Sequence, residues 1–152
     1  MSRKTSRQQQ YHGRQVWEAF INAHAAVFKR LDDEIQREAG IGLSWFDVLV
    51  HLDGADGRMK LQDLTNSLLL TQSSVSRLVD RMQTAGLVQK QMSDADRRAV
   101  FVSLTPAGRA AFRRAYRVHL RGIEEHFTQH VTPDEAASMT KALQKVLQAA
   151  TE

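Results

Sequence analysis

Apolar residues recur along most of the chain at the three- and four-residue spacing of an α-helix, and one stretch breaks that rhythm. Between about Gln10 and Ala39, Val16, Phe20, Val27, Leu31 and Ile35 fall on one stripe, with Trp17, Ile21, Ala25 and Phe28 on a second beside it. A helix apolar over two adjacent stripes packs on two things at once. Gly40 and Gly42 end it, and a short helix is expected over 44–52, with Ser44 and Asp47 spaced as a capping box. Asp53-Gly54-Ala55-Asp56-Gly57 then reads as a turn. Thr105-Pro106 supplies an N-cap and an N1 proline for a helix whose inward stripe is expected to be Phe112, Tyr116, His119, Ile123 and Phe127. Thr132-Pro133-Asp134-Glu135 repeats the device with a full capping box, opening a last helix with Met139, Leu143, Val146, Leu147 and Ala150 inward.

The exception is 87–104. LVQKQM and AVFVSL are rich in β-forming residues, and Val100, Val102 and Leu104 alternate with Phe101 and Ser103. Between them lies the polar run Ser93-Asp94-Ala95-Asp96-Arg97-Arg98, so the spacing predicts one hairpin with a basic tip. Upstream, 61–68 and 71–85 read as two helices around a tight turn. Helix, turn, helix and hairpin in that order make a winged helix-turn-helix. On the second helix Val75, Leu78, Val79 and Met82 lie within about 100° of arc and face the core. The opposite side carries Ser73, Ser76, Arg77, Asp80 and Thr84: small polar residues that allow close approach to base edges, and a guanidinium that can reach guanine O6 and N7. Free amides near Thr71 to Ser74 suit a phosphate. Arg97 and Arg98 at the hairpin tip can enter the adjacent minor groove. The expected DNA contacts are therefore Thr71, Gln72, Ser73, Ser74, Ser76, Arg77 and Arg81 on the helix, with Arg97 and Arg98 on the wing.

Charge agrees with this placement. The chain of 152 residues carries +4 overall. Residues 58–104 hold seven Lys/Arg against four Asp, whereas 41–57 hold three Asp and no base, so the middle of the chain is the candidate contact surface for a polyanion. Zero cysteines exclude disulfides, thiolate nucleophiles and cysteine redox switches. No apolar run exceeds about four residues, against the roughly 20 of a membrane span. MSRKTSRQQQYHGR is basic with no apolar region after it, so a secretory signal is not expected and a cytoplasmic location is.

The stretch TQSSVSRLVDRMQTAGLVQKQMSDADRRAVFVSLTPAGRA resembles the MarR (multiple antibiotic resistance regulator) family, whose hallmark is a recognition helix ending in LVDRL..GLV.R followed by a D..DRR...V.LT..G wing. GLSWFDVLVHL matches the family's second helix, and the long flanking helices match its dimerisation arms, so the resemblance covers nearly the whole chain. It implies a mainly α fold with a small β-hairpin wing: a winged helix-turn-helix DNA-binding domain over 41–104, and a helical dimerisation region over 10–40 and 105–152. It implies a homodimeric transcriptional regulator, usually a repressor, on a pseudo-palindromic double-stranded operator. The family's frequent pairing of the recognition-helix Asp with a wing Arg maps onto Asp80 and Arg98, and Asp96 is also placed to orient a wing Arg. Leu69 stands where the turn of many relatives has Gly, and Thr65 where the first helix usually has Ala. Family members commonly hold an anionic aromatic ligand between the dimer helices and the winged domain, and Trp17, Phe20, His24, Trp45, Phe46 and His51 are the candidates to line such a cleft here. Oxidant sensing through a cysteine, known in some relatives, is chemically closed to this chain; phenolic carboxylates such as salicylate are the expected class of effector.

Two other classes stand beside this reading. No GxSxG, P-loop, HExxH or GxGxxG motif occurs, so an enzyme is not expected, nor a cofactor. A winged-helix protein that binds another protein, or DNA architecturally, shares every feature of the middle segment. His126 and His130 at i, i+4 beside Glu125 invite a metal, but such a pair alone lacks further ligands and no metal site is expected.

Overall fold

A computed structural model describes residues 3–151 apart from 69 and 97, with side chains from residue 12 onward. Along the chain run α1 (Arg3–Ala39), α2 (Leu43–Gly54), β1 (Arg58–Lys60), α3 (Leu61–Leu68), α4 (Gln72–Thr84), β2 (Val88–Met92), β3 (Val100–Leu104), α5 (Pro106–His126), a 3₁₀ turn (Thr128–His130) and α6 (Pro133–Thr151). The chain is mainly helical with one small antiparallel sheet, and it divides into two compact units. One comprises the residues up to Arg30 and from Arg121 on; the other is Leu31–Leu120.

The second unit is wider than 41–104 because both long helices contribute to its core. Ile35 and Ala39 of α1 and Ala111, Ala115 and Val118 of α5 are buried with Val48, Leu49 and Leu52 of α2, Leu64 of α3 and Val75, Leu78, Val79 and Met82 of α4. Each helix buries one stripe, and burial of each Val, Leu, Ile or Met side chain among them contributes roughly 1.5–3 kcal/mol, an alanine less. The buried stripe of α5 is not the aromatic one. Ala111, Ala115 and Val118 face inward, Phe112 and His119 lie half-buried beside them, and Tyr116 is exposed. Small side chains let the helix backbone approach the core, and the rings pack on its flank, with Phe46 4.8 Å from His119 and 6.1 Å from Phe112 between centroids.

Two local signals resolve differently from the sequence pattern. Helix α2 begins at Leu43, its N-cap is Gly42, and neither Ser44 nor Asp47 closes a capping box. The first-turn amide of Leu43 instead donates to the Asp32 carboxylate of α1 at 2.7 Å, a cap supplied from eleven residues upstream. The hairpin gains a third strand: β1 pairs with β3, giving the order β1-β3-β2. The other two caps form as the residues dictate. Thr105 Oγ1 accepts from the Gly108 amide at 3.0 Å, and Thr132 and Glu135 exchange both bonds of the capping box. That pairing with Thr132 holds the Glu135 carboxyl below the usual carboxylate range.

Gly108 is required by packing. A Cβ there would lie 2.0 Å from the Leu87 carbonyl oxygen, so α5 can start against the foot of β2 only without a side chain. Gly86, at φ +76°, makes the turn out of α4 that leads into that strand.

In the first unit the pattern and the burial part company. Helix α6 buries none of its residues, and Met139, Leu143, Val146, Leu147 and Ala150 are exposed in the single chain. Val16, Trp17, Phe20, Ile21 and Phe28 of α1 are exposed as well. The apolar stripes exist, but among the described residues no side chain covers them.

Candidate nucleic-acid interface

Helices α3 and α4 are set around a short connection in which Leu70 is half-exposed; Leu69, the departure noted in that turn, lies outside the described residues. Thr65, the second departure, is accommodated: it is buried and its hydroxyl donates to the Leu61 carbonyl at 2.8 Å. Thr71 is the N-cap of α4. Its Oγ1 accepts from the Ser74 amide at 3.3 Å and donates to the Ser74 hydroxyl at 2.8 Å. Ser74 is therefore committed to the cap; it and Ser76 are half-buried, whereas Gln72, Ser73, Arg77 and Arg81 are exposed. Ser74, Arg77, Asp80 and Arg81, at helical spacings of three and four, line one shallow depression on the solvent side of α4.

The wing is organised by its own polar residues. Ser93 Oγ accepts from the amides of Ala95 and Asp96, each at 3.3 Å, and the Ala99 amide donates to the Asp96 carbonyl at 2.9 Å. The Asp96 carboxylate accepts from the Arg98 amide at 3.0 Å, so it acts on the backbone that carries Arg98. The Arg98 side chain is exposed. Arg97 lies outside the described residues.

The expected pairing of Asp80 with Arg98 gives way to a different one. Asp80 is taken by the Lys90 ammonium, on the strand at the root of the wing. The Lys90 amide also donates to Gln83 Oε1 at 2.8 Å, so α4 covers an outward-facing donor of the sheet edge. Lys90 and Gln83 were not visible as site residues from sequence, because a contact across ten positions between a helix and a strand has no periodic signature.

The ligand candidates separate into two groups. Trp17, Phe20 and His24 stand on α1 in the first unit, with successive ring centroids 6.3 Å apart and His24 4.1 Å from Phe28. Trp45, Phe46 and His51 stand on α2. Phe46 is only 3% exposed and its ring is engaged by Phe112 and His119, which makes it a core residue. His126 and His130 do not share a helical face: α5 ends at His126, and His130, in the 3₁₀ turn, turns Nε2 to the Glu125 carbonyl at 3.1 Å. Among the described residues no helix is long and apolar enough to cross a membrane.

A helix-turn-helix with a polar, cation-bearing second helix and an adjoining sheet with a basic tip defines a winged helix-turn-helix DNA-binding protein. The sequence profile of the MarR family matches residues 39–99. The HTH-type transcriptional regulator YsmB of Bacillus subtilis is 30% identical over 131 residues, covering 80% of this chain and 82% of YsmB. Sco3205, a MarR family transcriptional regulator from Streptomyces coelicolor solved in complex with DNA, superposes with a TM-score of 0.82 at 26% identity, over 90% of this chain and 86% of Sco3205. Bordetella bronchiseptica BpsR, whose DNA binding is regulated by 6-hydroxynicotinic acid, superposes at 0.71 with 25% identity, over 87% of this chain and 98% of BpsR. The chain belongs to the MarR family of DNA-binding transcriptional regulators, and it is not an enzyme.

Proposed function

We propose that this protein is a homodimeric repressor that reads a pseudo-palindromic operator, with α4 in the major groove and the wing in the adjacent minor groove, and that a small aromatic acid releases it. The observation that carries the reading is the division of α4: Val75, Leu78, Val79 and Met82 are buried, while Gln72, Ser73, Arg77 and Arg81 face solvent on the other side. Arg77 is the base reader, Arg81 and the first turn after Thr71 bind phosphate, and Arg98 enters the minor groove together with Arg97.

Dimerisation follows from the exposed apolar side of the first unit. Val16, Trp17, Val146 and Leu147 are each more than 60% exposed in one copy. Between α1 and α6 runs an apolar groove of about 540 Å³, lined by Val16, Phe20, His24, Phe28, Phe127 and Leu143 among others. A second copy covers such a surface, and two recognition helices supply the specificity that one lacks. The release mechanism is a difference in ligand affinity between two half-site spacings. BpsR supports an aromatic acid as the effector class.

The test is selection of binding sites from random duplexes. A repressor of this kind enriches a two-fold symmetric site with half-site centres about 10 base pairs apart. No enriched sequence would leave an architectural DNA binder. A mobility shift on the enriched site, titrated with salicylate and with hydrogen peroxide, should show release by the aromatic acid and none by peroxide at thiol-sensing levels.

A further inference from the structure

The three-stranded sheet has two unlike faces, and the register assigns every residue to one of them. Met59, Val88, Val102 and Leu104 turn toward the core. The alternate positions form two cross-strand rows on the outer face, Arg58–Ser103–Gln89 and Lys60–Phe101–Gln91. Arg58, Lys60, Gln89 and Gln91 are exposed, and no carboxylate occupies any of these six positions. The row Lys60–Phe101–Gln91 is one pair away from Met92–Val100, where the sheet becomes the wing.

Arg58 is not a loose surface cation. Its guanidinium carbon lies 4.2 Å from the centre of the Phe101 ring, reaching diagonally across the strands to the row that holds Lys60. Stacking on a ring engages the face of the guanidinium and leaves its in-plane N–H groups available, which is the arrangement that grips a phosphate. Two cations thus share the outer face of the sheet, one of them held over the ring of Phe101, whose row lies next to the root of the wing.

We propose that this outer face is a second phosphate-binding surface, on which Arg58, steadied by Phe101, and Lys60 contact the DNA backbone beside the groove entered by the wing. The inference rests on the reading that the wing enters DNA. It adds contacts that strengthen binding to any duplex and carry no base preference.

Salt dependence tests it. Each phosphate contact contributes a slope of about −0.9 to the log–log dependence of affinity on salt, so its removal makes the loss between 50 and 200 mM salt about 3.5-fold smaller. Arg58→Gln and Lys60→Gln should each show this change on the selected operator and on a scrambled duplex alike, and the double variant about 12-fold. Arg58→Lys should keep the slope. Phe101→Leu retains both charges and should weaken binding ~2–5-fold. Arg113→Gln, which removes an exposed arginine of α5, is the control and should leave the slope as it is. Thermal melts of each variant establish that the fold is kept. An unchanged slope in folded Arg58→Gln and Lys60→Gln, or an equal change in Arg113→Gln, overturns the inference. Arg77→Ala losing operator binding in the same assays would show that the DNA reading stands regardless, whereas wild-type protein that binds no duplex would remove that reading itself.

Discussion

The Lys90 ammonium pairs with the Asp80 carboxylate and thereby joins the strand at the root of the wing to the middle of α4. Both partners are partly exposed, so the pair is worth about 0–1 kcal/mol, and its consequence is geometric. With the Gln83–Lys90 bond it sets the wing relative to α4. Lys90→Ala should change unfolding stability by no more than about 1 kcal/mol while weakening operator binding and hydroxyl-radical protection in the minor groove. Lys90→Arg should restore both. Full operator affinity and protection in Lys90→Ala would show that the wing needs no such tie.

Arg77 occupies the centre of the exposed face of α4. Arg77→Ala is expected to weaken operator binding by roughly 1–3 kcal/mol and to relax preference at one position per half-site. Binding by fluorescence anisotropy on a panel of single-base operator variants measures both effects. Wild-type behaviour would assign base reading to another residue.

The proposed dimer can be tested by disrupting the exposed apolar face of α6. Leu147→Glu places a charge on an apolar face of α6 in the first unit and replaces no core residue of the second. Light scattering at micromolar concentration should give a dimer for the wild type and a monomer for the variant, with operator affinity falling in parallel. A wild-type monomer that still binds its operator tightly would refute the dimer.

Gly108→Ala tests the joint between sheet and helix. Its Cβ would meet the Leu87 carbonyl, a backbone atom that cannot rotate away, so a loss of roughly 1–3 kcal/mol is expected by urea unfolding. Gly13→Ala, where a Cβ meets nothing, is the matched control and should be neutral or slightly stabilising.

His119 predicts a pH dependence. Burial pushes its pKa below the ordinary value of 6.5, and the Asp47 carboxylate offsets this in part. The unfolded chain therefore takes up this proton at a higher pH than the folded chain. The contribution of His119 is fully present above about pH 6.5 and is lost as pH falls from there through the lowered folded value. Urea unfolding at a series of pH values should show His119→Gln with a shallower loss of stability below pH 6.5 than the wild type.

Local chemistry determined much of this protein from sequence alone. The helical stripes of α1 and α4, the Thr105 and Thr132 caps and the alternation through β3 are set by residues within a few positions of one another, and the MarR signature lies in one continuous stretch. Tertiary structure decided what depends on distant partners. Strand β1 has three residues, too few for an alternation to show, and exists because β3 offers an edge. Asp32 caps α2 from another helix, and Asp80 meets Lys90 because α4 lies against β2. Periodicity identified the apolar stripes of α5 and α6 but not which would be buried. Close approach of α5 to the core selects its alanines over its aromatic rings, and the stripe of α6 stays exposed because, among the described residues, none packs over it.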